Sequence, residues 1–317
     1  MCKISIIVPI YNVEPYIKEC LDSLAAQTLQ EIEILMVNDG STDGSGETAK
    51  EYADRWPEKF RYFSKENGAL SDARNFAFDY VRGEYIAFVD SDDETAENMF
   101  EVLWKTAQES GADVVECEFE KVYPGRTKRI ELPEQYANLT EYLLKARVCV
   151  WNKLYRTQWL KETGADFPKG LFYEDVCFFC KMIPYLSEIP KTVHLPLYRY
   201  RQREGSILNS PDRRILQIHD VFRCVFAFYE ERGLTEKYGS AAEYKYIKTV
   251  FCSFLLRMLR IGDRKIRREV IRLSWDRIHR ERPMWRRNPY LKEITPRNLY
   301  LRMVSEPMLE IMMFLIR

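Results

Sequence analysis

The sequence predicts an α/β fold, a mostly parallel sheet with helices on both faces, followed by a carboxyl-terminal helical region. Three observations predict it. Strand-like apolar runs at 4–10, 32–37, 60–64 and 85–89 alternate with helix-patterned stretches at 14–24, 46–56 and 70–81. Several of these runs are unbroken rather than alternating, as expected of strands buried on both faces. Beyond residue 213, helical spacing takes over at about 213–232, 236–261, 263–281 and 297–315.

Taken in order, the first strand ends at Pro9-Ile10-Tyr11-Asn12, and the second runs into the turn-rich loop Asn38-Asp39-Gly40-Ser41-Thr42-Asp43-Gly44-Ser45. The fourth strand, Tyr85 to Val89, passes directly into Asp90-Ser91-Asp92-Asp93, three carboxylates within four positions. Such acids repel one another unless a cation lies among them, although Asp and Ser also cap helices, and Glu94 to Glu97 begins a plausible one. A helix at 96–110 and a strand at 113–119 follow, and the pattern is then irregular to Trp151. Three polar-aromatic clusters come next: Trp151 to Arg156 with Asn152 and Lys153, Phe172 to Val176 with Glu174 and Asp175, and Leu197 to Ser206. In open parallel sheets, ligands bind beyond the carboxyl ends of the strands. The polar loops after the first, second and fourth strands should therefore converge on one crevice. No glycine-rich loop follows the first strand, which argues against a dinucleotide fingerprint and a P-loop.

Composition narrows the class further. The chain has 317 residues and a formal net charge of zero, with a hydrophobic share typical of a folded protein. No run is long enough to span a bilayer, and residues 4–10 are a strand rather than a signal peptide, so a cytoplasmic protein is expected. Eight cysteines sit mostly in apolar periodic segments and read as reduced thiols. The charge balance hides an asymmetry: residues 255–317 hold 16 Lys and Arg against 7 Asp and Glu, a net of +9, leaving −9 for the rest.

Together these stretches resemble family 2 glycosyltransferases, inverting enzymes with a nucleotide-sugar-binding GT-A fold that build bacterial surface polysaccharides. The resemblance covers about residues 4–206 and rests on Val8 to Asn12, Val37 to Asp43, Asn67 to Asn75, the Asp90-Ser91-Asp92 DxD motif, Asn152 to Leu154 and Glu174-Asp175, in the family's order. It implies a metal-dependent transfer of one sugar from a UDP-sugar to a glycan or lipid-linked glycan acceptor. The Gln-x-x-Arg-Trp motif of processive synthases is absent. Pro9, Tyr11, Asn12, Glu14 and Asp39 would hold the base and ribose. Arg74, Asp90, Ser91 and Lys153 would face the donor and its phosphates, and Asp90, Asp92 and Asp93 supply the ligands from which Mn²⁺ or Mg²⁺ would draw. Asp175 is the expected catalytic base with Glu174 beside it, while Arg201 and Ser206 are candidates for acceptor or phosphate contacts. The rival reading is an inactive nucleotide-sugar-binding or scaffold protein.

The expected division is a GT-A domain over 1–210 and a helical region over 211–317. In the latter, Arg257, Arg260, Arg264, Arg267, Arg268 and Arg272 mix with apolar residues. This reads either as a surface for an anionic membrane, at its inner face, or as a bundle packed on the catalytic domain or on a second subunit in a homodimer. Nucleic acid is not expected, since no reader motif accompanies the arginines.

Overall fold

The computed structural model describes residues 2–203 and 212–315. Ser206 therefore lies outside the described residues. The chain forms two compact units. The first comprises the described parts of Met1–Leu139, Arg147–Gly170 and Tyr185–Arg203, and the second those of Thr140–Ala146, Leu171–Pro184 and Glu204–Arg317.

The first unit is built on nine strands: β1 (Ile4–Ile10), β2 (Ile32–Asn38), β3 (Phe60–Ser64), β4 (Tyr85–Phe88), β5 (Glu94–Thr95), β6 (Val114–Tyr123), β7 (Arg126–Ile130), β8 (Lys153–Arg156) and β9 (Lys191–Arg201). They form one sheet in the order β3-β2-β1-β4-β8-β6-β9-β5, with β7 paired to β6. The β3-β2-β1-β4 part is parallel. Beyond it, β8 is antiparallel to both β4 and β6, while β9 again runs parallel to β6. All seven residues of both β1 and β2 are buried, which accounts for their unbroken apolar sequence.

The helices, in chain order, are α1 (Glu14–Ala25), α2 (Ser45–Arg55), α3 (Ala69–Ala77), α4 (Met99–Ser110), α5 (Leu139–Lys145), α6 (Thr157–Thr163) and α7 (Glu174–Met182). After them come α8 (Gln217–Glu231), α9 (Thr235–Lys248), α10 (Leu255–Met258), α11 (Arg264–Glu281), α12 (Pro296–Met303) and α13 (Glu306–Leu315). Helix α1 buries Ile17, Cys20, Leu21 and Leu24, the spacing of a single apolar stripe, and Pro15 suits its first turn. The helix expected over 236–261 is divided, because a π-helical turn at Thr249–Phe254 separates α9 from α10. The irregular stretch after residue 119 holds the rest of β6 and the β7 edge strand, whose Arg-Thr-Lys-Arg-Ile sequence is exposed at four of five positions. Edge strands of this charged kind lack the apolar pattern of a buried strand.

The second unit is helical. Helix α7 packs on α8, where the Tyr229 hydroxyl donates to the Cys180 carbonyl at 2.7 Å. Lys245 on α9 donates to the Leu143 carbonyl of α5 at 2.6 Å. The cysteines are all free thiols.

Candidate active site

Strands β2, β1 and β4 are neighbours and parallel, so the loops that leave their carboxyl ends share one edge of the sheet. Tyr11 follows β1 and is half exposed. Pro9 lies inside β1, buried and in register with Val37. Asn12, with φ of 50°, and Glu14 bind the loop after β2: the Asn12 Oδ1 accepts from the Thr42 amide at 2.8 Å, and a Glu14 carboxylate oxygen accepts from the Gly44 amide at 3.1 Å. These two side chains therefore stitch the first loop to the second.

Asp39 begins that second loop and is 1% exposed. Its Oδ1 accepts from the Lys65 ammonium at 2.6 Å and the Gly68 amide at 3.0 Å. Its Oδ2 is buried without a hydrogen-bond partner among the described residues, as is the hydroxyl of Ser71 on α3. A buried acceptor left open in this way is costly unless a ligand completes it. Gly40 allows the turn, since its φ is +73° and an added Cβ would lie 3.0 Å from the Asn67 amide nitrogen. Lys65 also pairs with Asp72 at 2.8 Å. Burial works against its charge, but the bonds to Asp39 and Asp72 raise its pKa above the ordinary value.

The acids after β4 are not helix caps. Helix α4 begins only at Met99, after the short strand β5, and Asn98 precedes it without a side-chain cap. Asp90 accepts from the buried Arg74 guanidinium at 2.7 Å, and that guanidinium lies over the Phe167 ring. Ser91 is buried between the two acids of the motif. Asp92 is half-buried and takes the Arg203 Nε at 2.6 Å.

Asp93 is different. It is 1% exposed, and its two oxygens accept separately from the Tyr198 hydroxyl and the Arg201 amide, each at 2.8 Å. Burial, then the charges of Asp92 and Asp90, push its pKa well up. These two bonds anchor the acidic turn to β9. Arg201 reinforces the anchor by donating to the Asp92 carbonyl at 3.0 Å and to Glu94 at 2.8 Å, and it also pairs with Glu19.

Lys153 is bonded within the protein. It is fully buried on β8, with the Cys149 carbonyl and Asn152 Oδ1 at 2.9 Å, and the Arg147 carbonyl and Glu116 at 3.2 Å. Its three donors are committed to these four acceptors. Glu174 and Asp175 belong to the second unit, where they form the first turn of α7 after Tyr173, whose φ is +68°. Glu174 is buried and Asp175 half-buried. Acids in a first turn also suit the helix dipole.

The site chemistry accommodates a hard divalent cation. Among the described residues, no three His, Cys, Asp or Glu side chains form a self-sufficient cage. Mg²⁺-type ions, however, are commonly held by one or two carboxylates plus substrate phosphates. Asp90 and Asp92 supply such carboxylates, and each already carries a guanidinium. Lys65, Ser71, Tyr198 and Arg203 were not among the residues expected from the sequence. Lys65 had one available signal, since it follows β3 on the same sheet edge.

Comparison with solved structures identifies the fold. A TarS fragment of S. aureus in complex with UDP-GlcNAc superposes with a TM-score of 0.60, covering 95% of this chain and 78% of that one at 22% identity. The mannosyltransferase PcManGT of Pyrobaculum calidifontis, in complex with GDP-Man and Mn²⁺, gives 0.53 over 94% and 84% at 17% identity. The fold is GT-A. The family model for glycosyl transferase family 2 matches residues 5–164. The uncharacterized glycosyltransferase EpsJ of Bacillus subtilis (strain 168) is 37% identical over 246 residues, 73% of this chain and 71% of that protein. The chain belongs to glycosyl transferase family 2.

Proposed function

We propose that this glycosyltransferase moves a single sugar from a UDP-sugar to an acceptor glycan, with inversion, using Mn²⁺ or Mg²⁺, and that the acceptor is a lipid-linked glycan of cell-surface polysaccharide synthesis. The open Oδ2 of buried Asp39, on the same sheet edge as the acidic turn, carries the reading. A uracil imide N–H is a donor that would complete that oxygen, and the exposed Tyr11 ring, at the end of the neighbouring strand, offers a stacking face. The UDP-GlcNAc complex of TarS supports the choice of donor, and the Mn²⁺ complex of PcManGT supports a divalent ion.

In this reading Asp90 and Asp92 hold the cation. When bound, it neutralises charge that builds on the departing UDP. Arg74 fixes Asp90 through its buried ion pair. Asp93, Tyr198 and Arg201 keep the turn in place from β9. Lys153 holds the 147–152 segment in position. Asp175 takes the proton of the acceptor hydroxyl as it attacks the anomeric carbon opposite the leaving phosphate, and Glu174 supports it.

Replacing the base should separate chemistry from binding. Asp175→Asn is expected to lower kcat by about a hundredfold or more while leaving UDP affinity, measured by calorimetry, within about twofold. Normal turnover by this variant would remove Asp175 from the role. An inactive scaffold is the second reading, and UDP-sugar turnover by the wild-type protein decides against it.

A further inference from the structure

Exposed apolar side chains and positive charge concentrate in the same part of the second unit. Ile294, Met303 and Phe314 are 81%, 71% and 84% exposed. On α13, Ile311, Phe314 and Leu315 are all exposed, whereas Leu309 is buried. At 100° per residue these three positions share the face opposite Leu309. On α12, Leu299 and Met303, four residues apart, form a second exposed apolar pair, while Asn298 and Leu301 face inward.

The segment that carries α13 is basic. Of the two acids on α13, Glu306 is exposed, while Glu310 is bound by Arg268 at 2.9 Å and by Arg272 at 2.7 Å, both arginines lying half exposed on α11. Two arginines thus lie beside α13, within a segment whose net charge is +9 over residues 255–317. The stripe expected from the sequence at 255–272 is largely inward: Leu255, Met258, Leu259, Val270 and Ile271 are core, and Arg267 is buried against the Leu259 and Ile261 carbonyls. The outward surface lies instead on α12 and α13.

We infer that the exposed face of α13, with α12 and the arginines of α11, docks on an anionic lipid surface. Bulky apolar residues enter the headgroup boundary, and basic residues beside them meet lipid phosphates. A second copy of this chain fits less well, because a two-fold interface sets the same patch against itself and would oppose one net-positive surface with another. The inference uses only residues of the second unit and stands apart from the transfer reading.

The test is co-sedimentation of the full chain with phosphatidylcholine vesicles, with and without phosphatidylglycerol, for wild type and the double variant Phe314→Glu, Leu315→Glu. Both positions are exposed, so the variant should keep the wild-type circular dichroism and Tm. The wild type is expected to bind the anionic vesicles at least about tenfold more tightly than the neutral ones, and the variant to lose about that factor. Equal binding by both proteins, or no binding by the wild type, overturns the proposal. A wild-type dimer that the substitutions convert to monomer, seen by light scattering, assigns the face to a second copy and overturns it too.

Discussion

Asp39 and Asp93 are both 1% exposed, but their hydrogen bonding differs. Asp93 has both oxygens bonded within the protein, whereas Asp39 keeps one open. A buried carboxylate completed by a ligand donor contributes about 1.5–3 kcal/mol through a charge-assisted bond. Asp39→Asn, which retains an acceptor for Lys65 and Gly68, should therefore weaken UDP binding about ten- to hundredfold in calorimetry, with a small change in Tm. Unchanged affinity would detach Asp39 from the donor. The sequence placed both residues among the site acids, since both follow strands at the sheet's carboxyl edge. It could not separate the two, because Asp93's partners Tyr198 and Arg201 lie more than a hundred positions away. The enclosure of Lys153, by Glu116 on β6 and by carbonyls of the preceding segment, was not legible either, because it depends on how β8 pairs with β6.

At the scale of elements, the apolar runs of β1, β2 and β4 and the helices between them were legible because each carries its period locally. The mixed half of the sheet was less so, since the pairing of β6 with β7, β8 and β9 joins segments that show little period of their own. The helical unit has a comparable hidden joint. Buried His219 on α8 lies 2.6 Å from the Tyr246 hydroxyl of α9 and 3.0 Å from the Ser274 hydroxyl of α11. Burial, then Arg277 and Arg223, lowers its pKa from 6.5 to about 3. The unfolded chain accepts a proton below 6.5 that the folded chain refuses until about 3, so this site withdraws stability as pH falls through that interval. The slope approaches about 1.4 kcal/mol per pH unit. His219→Gln should be less stable at neutral pH but should lose less Tm than the wild type between pH 7 and pH 5, about the range where the unfolded imidazole charges. Parallel losses in both proteins would contradict the assignment.

For the whole molecule, family and fold follow from the amino-terminal half, where strand order puts three loops on one sheet edge. Among the described residues no helix is long and apolar enough to cross a membrane. The lipid contact proposed above rests instead on exposed apolar residues of α12 and α13. That surface was only partly legible, because the sequence's basic-apolar mixture does not say which side faces inward, and tertiary packing turned the 255–272 stripe into core.

The central claim is that the acidic turn after β4 works with a divalent cation to hold a nucleotide diphosphate. The most direct measurement is UDP binding by calorimetry with and without Mn²⁺, for the wild type and Asp92→Ala. Mn²⁺ should tighten UDP binding to the wild type by at least about tenfold, as expected when a cation bridges carboxylate and phosphate, and should do little for the variant. The same UDP affinity in all four combinations would contradict the account.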